Sequence, residues 1–338
     1  MCKISIVFSG PKYREYSIDY AIDKMAKIFP GAEIIISSND KVLISDIQNN
    51  TLVNKVISLS NIGELPSLKF GDNNNNNVNK QRQCCLEGIK AAKHDLVLRL
   101  RTDQLILDGS ILDLWEKIKP IPSDNNKRGR IITSSIFSIN PRFSERMPYH
   151  IGDMLQLGYK DDLLSYFSAP AYPFEYATWY EKATHHPSSN EFEKKFRSKY
   201  AVEQWLALHY IFGEEKKFPI RYHNDCNNKI IKDFENSFIE YFVIAHPSDI
   251  NLRASKFSDS ESFYNTQCYS TKECLSLLAL KHSEAKYLVE CYSPKGMNKQ
   301  YYSKIRPIIH SGIARSIIKC MTKEQKNFIK KTLTKIIK

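Results

Sequence analysis

The stretch KHDLVLRLRTDQLIL, residues 93–107, decides the fold class of this chain. Residues 96–100 have the composition of a buried strand, and this strand ends directly on Arg101, Thr102 and Asp103. In an α/β sheet, ligands bind in the crevice outside the carboxyl ends of the strands, because helices cover the two faces. An arginine and a carboxylate at this strand end therefore predict a binding site.

Strand patterns alternate with helix patterns over the first 250 residues. This alternation predicts a mainly parallel, Rossmann-type α/β sheet with right-handed crossovers and flanking helices. Beyond about residue 250 the pattern is helical without clear strands, so we expect one domain at 1–250 and a helical C-terminal extension at 251–338. The further strands are predicted at 3–8, 32–38, 53–59, 129–137 and 242–246, and the helices at 14–28, 81–92, 160–168 and 199–213.

The motifs that are absent exclude several classes of enzyme. The 338 residues contain only 12 glycines, with no G-x-x-x-x-G-K-[ST] and no G-x-G-x-x-G after the first strand. A P-loop enzyme and the usual dinucleotide-binding domain are therefore excluded. The absence of a G-x-S-x-G elbow excludes the common hydrolase arrangement. The asparagine-rich run at 72–77 predicts a flexible loop.

Cysteine spacing and hydropathy point to the cytoplasm. The eight cysteines show no C-x-x-C pair, so we expect free thiols in a reducing compartment. The apolar run at 4–8 is too short for the core of a signal peptide. No segment approaches the roughly 18 apolar residues of a membrane span, so we expect a protein that is soluble or peripheral.

Asp103 is the predicted metal ligand. Mg²⁺ and Mn²⁺ prefer hard oxygen ligands, typically one or two carboxylates together with the phosphates of a substrate. Arg101 lies on the same side of an extended chain, and a guanidinium can bind phosphate through two hydrogen bonds. The alternative is a surface salt bridge between the two residues. Polar residues at other strand ends belong to the same predicted edge: Ser9, Ser37, Asn39 and Asp40.

Three motifs, in this order, resemble the WavE-type lipopolysaccharide-synthesis glycosyltransferases, a family that is similar to the broader GT-A glycosyltransferases. They are NVNKQ at 77–81 with Gly88 after it, HIGDMLQLGYKDDLLSYF at 150–167, and YAVEQWLALHYI at 200–211. The resemblance covers roughly residues 3–215.

Two positions depart from the family pattern. Lys80 stands where arginine is usual, and Ser9 stands where glutamine is common. These departures leave the expected fold unchanged and the nucleotide specificity open.

The resemblance implies a GT-A-like fold and a nucleotide-sugar-dependent glycosyltransferase. Its acceptor would be a lipid-linked oligosaccharide in bacterial lipopolysaccharide, O-antigen or capsule biosynthesis. Asp103 would match the last acid of a D-x-D motif and hold Mn²⁺ or Mg²⁺, although Arg101 replaces the first acid. Asn79 is equally compatible with a plain helix N-cap. The donor-binding residues are expected to be Ser9, Gly10, Pro11, Ser37, Asn79, Gln81 and Arg101.

Glu203 and Asp153 are the candidates for the catalytic base, which must take a proton from the acceptor hydroxyl. A first-turn helix acid is the alternative interpretation of Glu203, and it is the preferred one for Asp161 and Asp162. His246, at the end of the late strand, is a further possible metal ligand, as a late histidine is in some GT-A enzymes.

The C-terminal tail at 311–338 carries most of the excess positive charge. It contains eight Lys or Arg residues and one acid, hence +7 of the total net charge of +12. Apolar residues recur near helical spacing among the lysines, which predicts a basic amphipathic helix on the cytoplasmic face of the inner membrane. The alternative is a terminal helix packed on the body of the protein.

Two other functions remain open from the residues alone. A sugar-phosphate nucleotidyltransferase would use a similar sheet and metal, but SGPKYRE at 9–15 is a poor substitute for its basic, glycine-rich loop. A basic nucleic-acid-binding protein could use the tail, but the sequence lacks recognition motifs, and we expect no nucleic-acid partner.

Overall fold

A computed structural model describes residues 3–143, 145–187, 189–255 and 257–294, together with residues 317, 320–322, 324–326 and 328–329. Most of the tail at 311–338 therefore lies outside the described residues. Among the described residues, no helix has the length and apolar character that crossing a membrane requires.

Nine strands occur in the described part of the chain. Seven form one sheet in the order β3-β2-β1-β4-β7-β6-β8, and β5 pairs with β9 in a small second sheet. The strands are β1 (Ile4–Ser9), β2 (Glu33–Ser38), β3 (Lys55–Ser58), β4 (Leu96–Arg101), β5 (Gln104–Ile106), β6 (Ile131–Ser134), β7 (Leu155–Tyr159), β8 (Phe242–Ala245) and β9 (Leu252–Ala254).

The large sheet is parallel except at β7. β1 pairs in parallel with both β2 and β4, and β6 pairs in parallel with β8, whereas β7 runs antiparallel to β4 and β6. The chain leaves β1 toward β2 on one side and returns to β4 on the other. The carboxyl ends of β1 and β4 therefore form the point where the strand order reverses, which is the usual binding crevice of an open α/β sheet.

Eleven α-helices are assigned within the described residues. They are α1 (Ile18–Ile28), α2 (Lys41–Ile47), α3 (Val78–Ala91), α4 (Ser110–Ile118), α5 (Lys160–Phe167), α6 (Phe174–Ala177), α7 (Val202–Phe212), α8 (Asn228–Tyr241), α9 (Phe257–Gln267), α10 (Thr271–Lys281) and α11 (Lys286–Glu290). α3 packs on β1 and β2, α5 packs on β4 and β7, and α3 and α5 contact each other.

Local sequence explains where these elements begin and how closely they pack. Every residue of β1 and β2 is buried, as expected for strands covered by helices on both faces. Ser17 caps α1, and Asp40 caps α2 by accepting hydrogen bonds from the backbone N–H groups of Val42 and Leu43. At Gly88, a Cβ would lie 2.6 Å from Cγ1 of Val7, so a glycine lets α3 approach β1 closely.

The predicted fold class, α/β with a mainly parallel sheet, flanking helices and a helical C-terminal region, is confirmed. Two details were wrong. The short reversed strand β7 was not predicted, and a strand does occur beyond residue 250, where β9 pairs antiparallel with β5. Residues 72–77 form a loop, in which the backbone of Asn76 exchanges hydrogen bonds with Leu65.

The boundary proposed at residue 250 stays a prediction. α10 packs on α8 and β8, and β9 pairs with β5 from the first part of the chain. Lys281, in α10, lies 2.8 Å from the carboxylate of Glu240 in α8.

Candidate active site

A cavity of about 510 Å³ opens at the carboxyl ends of β1 and β4. It therefore occupies the point of the sheet at which the strand order reverses. Most of its lining comes from residues within five segments: the end of β1 and its loop, the start of α3, the end of β4, the turn before β7, and the start of α7. These segments correspond to positions 9–13, 75–81, 99–101, 153–154 and 202–203.

Arg99 supplies a buried positive charge to the wall of this cavity. Arg99 is only 1% exposed to solvent, and its Nε donates to Oγ of Ser9 at 2.7 Å. Nη1 donates to the backbone oxygen of Asp153 at 2.5 Å and to Oε1 of Gln156 at 3.3 Å. All three acceptors are neutral. Within the described part of the chain, no carboxylate forms a salt bridge with Arg99.

Arg101 is held from two sides. Its Nε and Nη2 donate to the two carboxylate oxygens of Asp103 at 2.8 and 3.0 Å. The guanidinium also lies over the ring of Tyr13, 5.4 Å from the centroid, and donates to the tyrosine hydroxyl. Burial lowers the pKa of Arg101, but the nearby Asp103 carboxylate outweighs this and raises it. Arg101 therefore stays charged on the cavity wall.

Asp103 does not fit the metal-ligand role as its side chain is placed. The residue is fully buried and does not line the cavity. One carboxylate oxygen accepts from Arg101, and the other accepts from both Arg101 and the hydroxyl of Ser255. A cation on these oxygens would have to displace the arginine, so the arrangement positions Arg101 and presents no oxygen to the cavity.

Asp153 reaches the cavity on a tightly constrained turn. Its Oδ2 accepts a hydrogen bond from Nε2 of Gln81 at 2.6 Å. A Cβ on the preceding Gly152 would lie 2.2 Å from the backbone oxygen of Ile136, so only glycine fits there. Tyr149 adopts a φ of 63°, a conformation that costs a non-glycine residue energy. The turn therefore fixes the direction in which Asp153 points.

Glu203 lines the same cavity and faces a buried histidine. Its Oε2 lies 3.5 Å from Nε2 of His150, while Nδ1 of His150 lies 2.7 Å from the backbone oxygen of Phe137. Because a carbonyl oxygen only accepts, Nδ1 carries the proton of the neutral ring and Nε2 is left as an acceptor. Burial lowers the pKa of His150 to about 4, so the ring facing Glu203 is neutral near pH 7.

The structure brings most of the predicted site residues together and leaves three of them outside the cavity. Ser37 is buried beneath α3, and Asn79 exchanges hydrogen bonds with the backbone of Tyr172 through its side chain. Asn79 is not the N-cap either, since Asn77 takes that position. Asp103 is the third. The predicted residues on the wall are Ser9, Gly10, Pro11, Gln81, Arg101, Asp153 and Glu203.

His246 also lies outside the cavity lining, and its ring nitrogens contact Ser248 and Asn265, each at 2.9 Å.

Sequence reasoning missed Arg99 and the asparagines at the start of α3. The signal for Arg99 was an arginine inside an otherwise apolar strand, two residues before Arg101 and therefore on the same side. Asn75, Asn76 and Asn77 line the cavity, although their composition suggested a flexible loop.

Cys84 also lines the cavity. Burial raises its pKa to about 12, so its thiol stays protonated and is a poor nucleophile.

A second group of possible metal ligands lies away from this cavity. Ligand atoms of Asp124, Glu240 and His282 lie within 4.8 Å of one another. However, Nζ of Lys281 lies 3.0 Å from Asp124 and 2.8 Å from Glu240, and Nη2 of Arg130 lies 3.1 Å from Glu240. Lys281 and Arg130 already neutralise the two carboxylates. These residues therefore form an ion-pair network that joins α8 to the end of α10 and to the segment between α4 and β6.

Comparison with known proteins gives a family match and distant structural likenesses. The family model described as WavE lipopolysaccharide synthesis matches residues 4–312. No curated protein sequence matches the chain significantly.

Three solved structures illustrate the structural likeness. TarS of S. aureus is 14% identical, with 82% of this chain and 42% of TarS covered and a TM-score of 0.36. The galactosyltransferase LgtC, solved with donor and acceptor sugar analogues, is 12% identical. The match covers 62% of this chain and 70% of LgtC, with a TM-score of 0.33. The glycosyltransferase GlyE of Streptococcus pneumoniae is 14% identical. The match covers 47% of this chain and 35% of GlyE, with a TM-score of 0.28. The chain spans less than half of TarS and of GlyE, and scores this low carry no argument about activity.

Proposed function

The chain belongs to the WavE lipopolysaccharide synthesis family, and on this premise we propose that it is a glycosyltransferase with a GT-A-like fold. It moves a sugar from a nucleotide-diphosphate sugar to a hydroxyl group of a lipid-linked oligosaccharide. The product belongs to a bacterial surface glycan of the lipopolysaccharide, O-antigen or capsule type.

One observation supports this proposal above the others. A single cavity at the switch point of the sheet combines two guanidinium groups, Arg99 and Arg101, with two carboxylates, Asp153 and Glu203. Transfer from a nucleotide sugar needs both kinds of group, because the donor carries a diphosphate and the acceptor must lose a proton. The cavity volume of about 510 Å³ lies in the range of small-molecule and cofactor sites.

Each group has a separate task in this reaction. The arginines bind the donor diphosphate and stabilise the negative charge that grows on it as the bond to the sugar breaks. Glu203 takes the proton of the acceptor hydroxyl, with Asp153 as the competing candidate. Gln81 fixes Asp153 through its 2.6 Å hydrogen bond, and the site as a whole gains rate by holding donor and acceptor in place.

The family match supports the proposed acceptor, and the charge of the tail supports the proposed location at a membrane. A lipid-linked acceptor resides at a membrane, so an enzyme that uses it gains from docking there. The tail at 311–338 carries a net charge of +7 interspersed with apolar residues, which suits the anionic cytoplasmic leaflet of the inner membrane.

A donor screen tests the proposed function. The purified chain is heated in the presence of a panel of nucleoside diphosphates and their sugar derivatives, with the parent nucleosides as matched controls. A ligand at a hundred times its dissociation constant stabilises the folded state by about 2.7 kcal/mol, which raises the melting temperature by several degrees. The stabilising donor is then incubated with lipid-linked oligosaccharide, and release of nucleoside diphosphate is measured. A panel in which no member exceeds its nucleoside control would overturn the proposal.

A further inference from the structure

We propose that Arg99 and Arg101, rather than a divalent cation held by Asp103, neutralise the diphosphate of the donor. This inference rests on the proposed function and names the groups that carry one part of it. It follows from the juxtaposition of a buried, ion-unpaired guanidinium with an open cavity at the strand ends.

The environment of Arg99 favours the binding of an anion. Taking a charge out of water is costly unless an opposite charge or metal compensates it, and Arg99 is 1% exposed. Its hydrogen bonds go to a serine hydroxyl, a backbone oxygen and a glutamine amide, which orient the guanidinium without neutralising it. An anion bound in the cavity that Arg99 lines would supply this counter-charge.

Arg101 has one nitrogen available for the same anion. Asp103 engages Nε and Nη2, whereas Nη1 contacts Sδ of Met154 at 3.5 Å. A thioether sulfur is a weak acceptor, so a phosphate oxygen is a much better partner for this nitrogen. Both Arg101 and Met154 line the cavity. The bidentate contact with Asp103 fixes the guanidinium plane in advance of binding.

The other cation on the wall is already committed. Nζ of Lys80 lies 2.7 Å from Oε1 of Glu64 in an ion pair near the start of α3. Among the described residues that line the cavity, Arg99 is therefore the cation without an ion-pair partner, and Arg101 adds the Nη1 that Asp103 leaves unengaged.

The chemical step balances with these groups alone. The bond from the anomeric carbon to the diphosphate oxygen breaks, and its electron pair stays on that oxygen. The acceptor oxygen forms the new bond to the anomeric carbon, and its proton passes to the carboxylate of Glu203 and then to water. Arg99 and Arg101 hold the released nucleoside diphosphate, whose negative charge has increased.

Calorimetric titration with nucleoside diphosphates tests the inference. The full chain is titrated with the nucleoside diphosphate that stabilises it most, first with EDTA and then with Mn²⁺. We expect affinities that agree within about twofold. We expect Arg99→Lys, which keeps the charge but loses the planar fork, to weaken binding by about tenfold or more. Arg128→Gln removes an arginine that is 47% exposed and paired with Asp95 outside the cavity, and this control should bind like the wild type.

Three results would count against the inference in distinguishable ways. Binding that disappears with EDTA and returns with Mn²⁺ would overturn it and leave the proposed function standing. Unchanged affinity in a folded Arg99→Lys protein would do the same. A wild-type protein that binds no nucleoside diphosphate with or without metal would overturn the proposed function itself. If Arg99→Lys loses its far-ultraviolet circular dichroism, Arg101→Lys takes its place with the same expected weakening.

Discussion

Oε2 of Glu203 and Nε2 of His150 face each other across 3.5 Å at the wall of the cavity. The backbone oxygen of Phe137 accepts a hydrogen bond from Nδ1 of His150. The neutral ring therefore presents the lone pair of Nε2 to the carboxylate. Burial lowers the pKa of His150 to about 4, so near pH 7 this ring carries no positive charge that would neutralise the carboxylate. A carboxylate beside a neutral ring can accept the proton of an acceptor hydroxyl, which is the role proposed for Glu203.

Replacing Glu203 by glutamine tests this role. The change keeps the volume of the side chain and removes the carboxylate, so donor affinity should persist while turnover falls by about two to four decades. Initial rates and calorimetric titration of the donor measure the two effects separately. Asp153→Asn is the matched variant in the same cavity, and a full rate in Glu203→Gln with an inactive Asp153→Asn would transfer the assignment to Asp153.

Replacing Asp103 by alanine should lower stability as well as activity. The Asp103 side chain is fully buried and that of Arg101 is 15% exposed, so the substitution leaves a nearly buried guanidinium without its partner. Removing one member of a buried ion pair typically costs about 3–5 kcal/mol. Urea unfolding measures this loss. Asp95→Ala breaks the exposed pair with Arg128 and should cost no more than about 1 kcal/mol. Equal losses in the two variants would contradict the buried arrangement.

Gly152→Ala should disrupt the turn that presents Asp153. The added Cβ would meet the backbone oxygen of Ile136 at 2.2 Å and that of Ser134 at 3.0 Å, and backbone atoms cannot move aside cheaply. We expect a loss of more than about 2 kcal/mol in the free energy of unfolding, with a parallel loss of transfer activity. Gly109→Ala is the matched control, because nothing lies within 4 Å of its added Cβ. A Gly152→Ala protein as stable as this control would show that the turn is placed differently.

Stability should fall in mild acid because of buried histidines. Burial lowers the pKa of His223 to about 3, from an ordinary value of 6.5. Between these pH values the unfolded chain binds a proton that the folded chain does not, so the free energy of unfolding decreases as the pH falls. Each such proton contributes about 1.4 kcal/mol per pH unit. His150, with a folded pKa of about 4, acts in the same direction.

His223→Phe should remove one of these contributions. The ring stacks on Phe196, with centroids 4.5 Å apart, so an aromatic replacement preserves the packing. The difference in unfolding free energy between pH 7 and pH 5 should shrink by about 2 kcal/mol. Tyr180→Phe, a change in the same aromatic cluster without an acid-range titration, serves as the control. An unchanged difference in His223→Phe would show that another group causes the acid sensitivity.

The tail at 311–338 is predicted to bind anionic membranes. Each Lys or Arg near such a surface contributes roughly 1 kcal/mol within a Debye length, and the apolar face adds a term that salt does not screen. The full chain should co-sediment with anionic vesicles, less so at high salt, whereas a chain ending at His310 should remain in solution. Neutral vesicles provide the control. Equal sedimentation of both chains would exclude the tail as the docking element, and unfolding of the shortened chain would favour a packed terminal helix.

The parts of the fold that the sequence predicted are those encoded by local composition. The cores of β1, β2 and β4 are mainly apolar, with Ser5 in β1 and Arg99 in β4 as interruptions, and their observed limits lie within a residue or so of the predicted ones. β7 and β9 escaped prediction because LQLGY and LRA are too short to show a period. Their strand character comes from the partners with which they pair.

For the site too, local features could be predicted from the sequence, whereas features set by tertiary placement could not. A polar residue at a strand end could be recognised from the sequence, and Arg101 does lie on the cavity wall. Whether a carboxylate points to a ligand or to a neighbouring arginine depends on tertiary placement, and Asp103 points to Arg101. Arg99 was overlooked because a charge inside a buried strand is meaningful only when its surroundings are known.

The pairing of β9 with β5 makes the cavity depend on two segments that are far apart in the sequence. β9 places Ser255 where its hydroxyl donates to Asp103, and Asp103 in turn orients Arg101. A fragment that stopped at residue 250 would keep every cavity-lining residue and still lose the brace behind one of its two arginines. The orientation of Arg101 on the cavity wall therefore depends on the segment that follows residue 250. A movement of that segment would reach the cavity through the side chains of Ser255, Asp103 and Arg101.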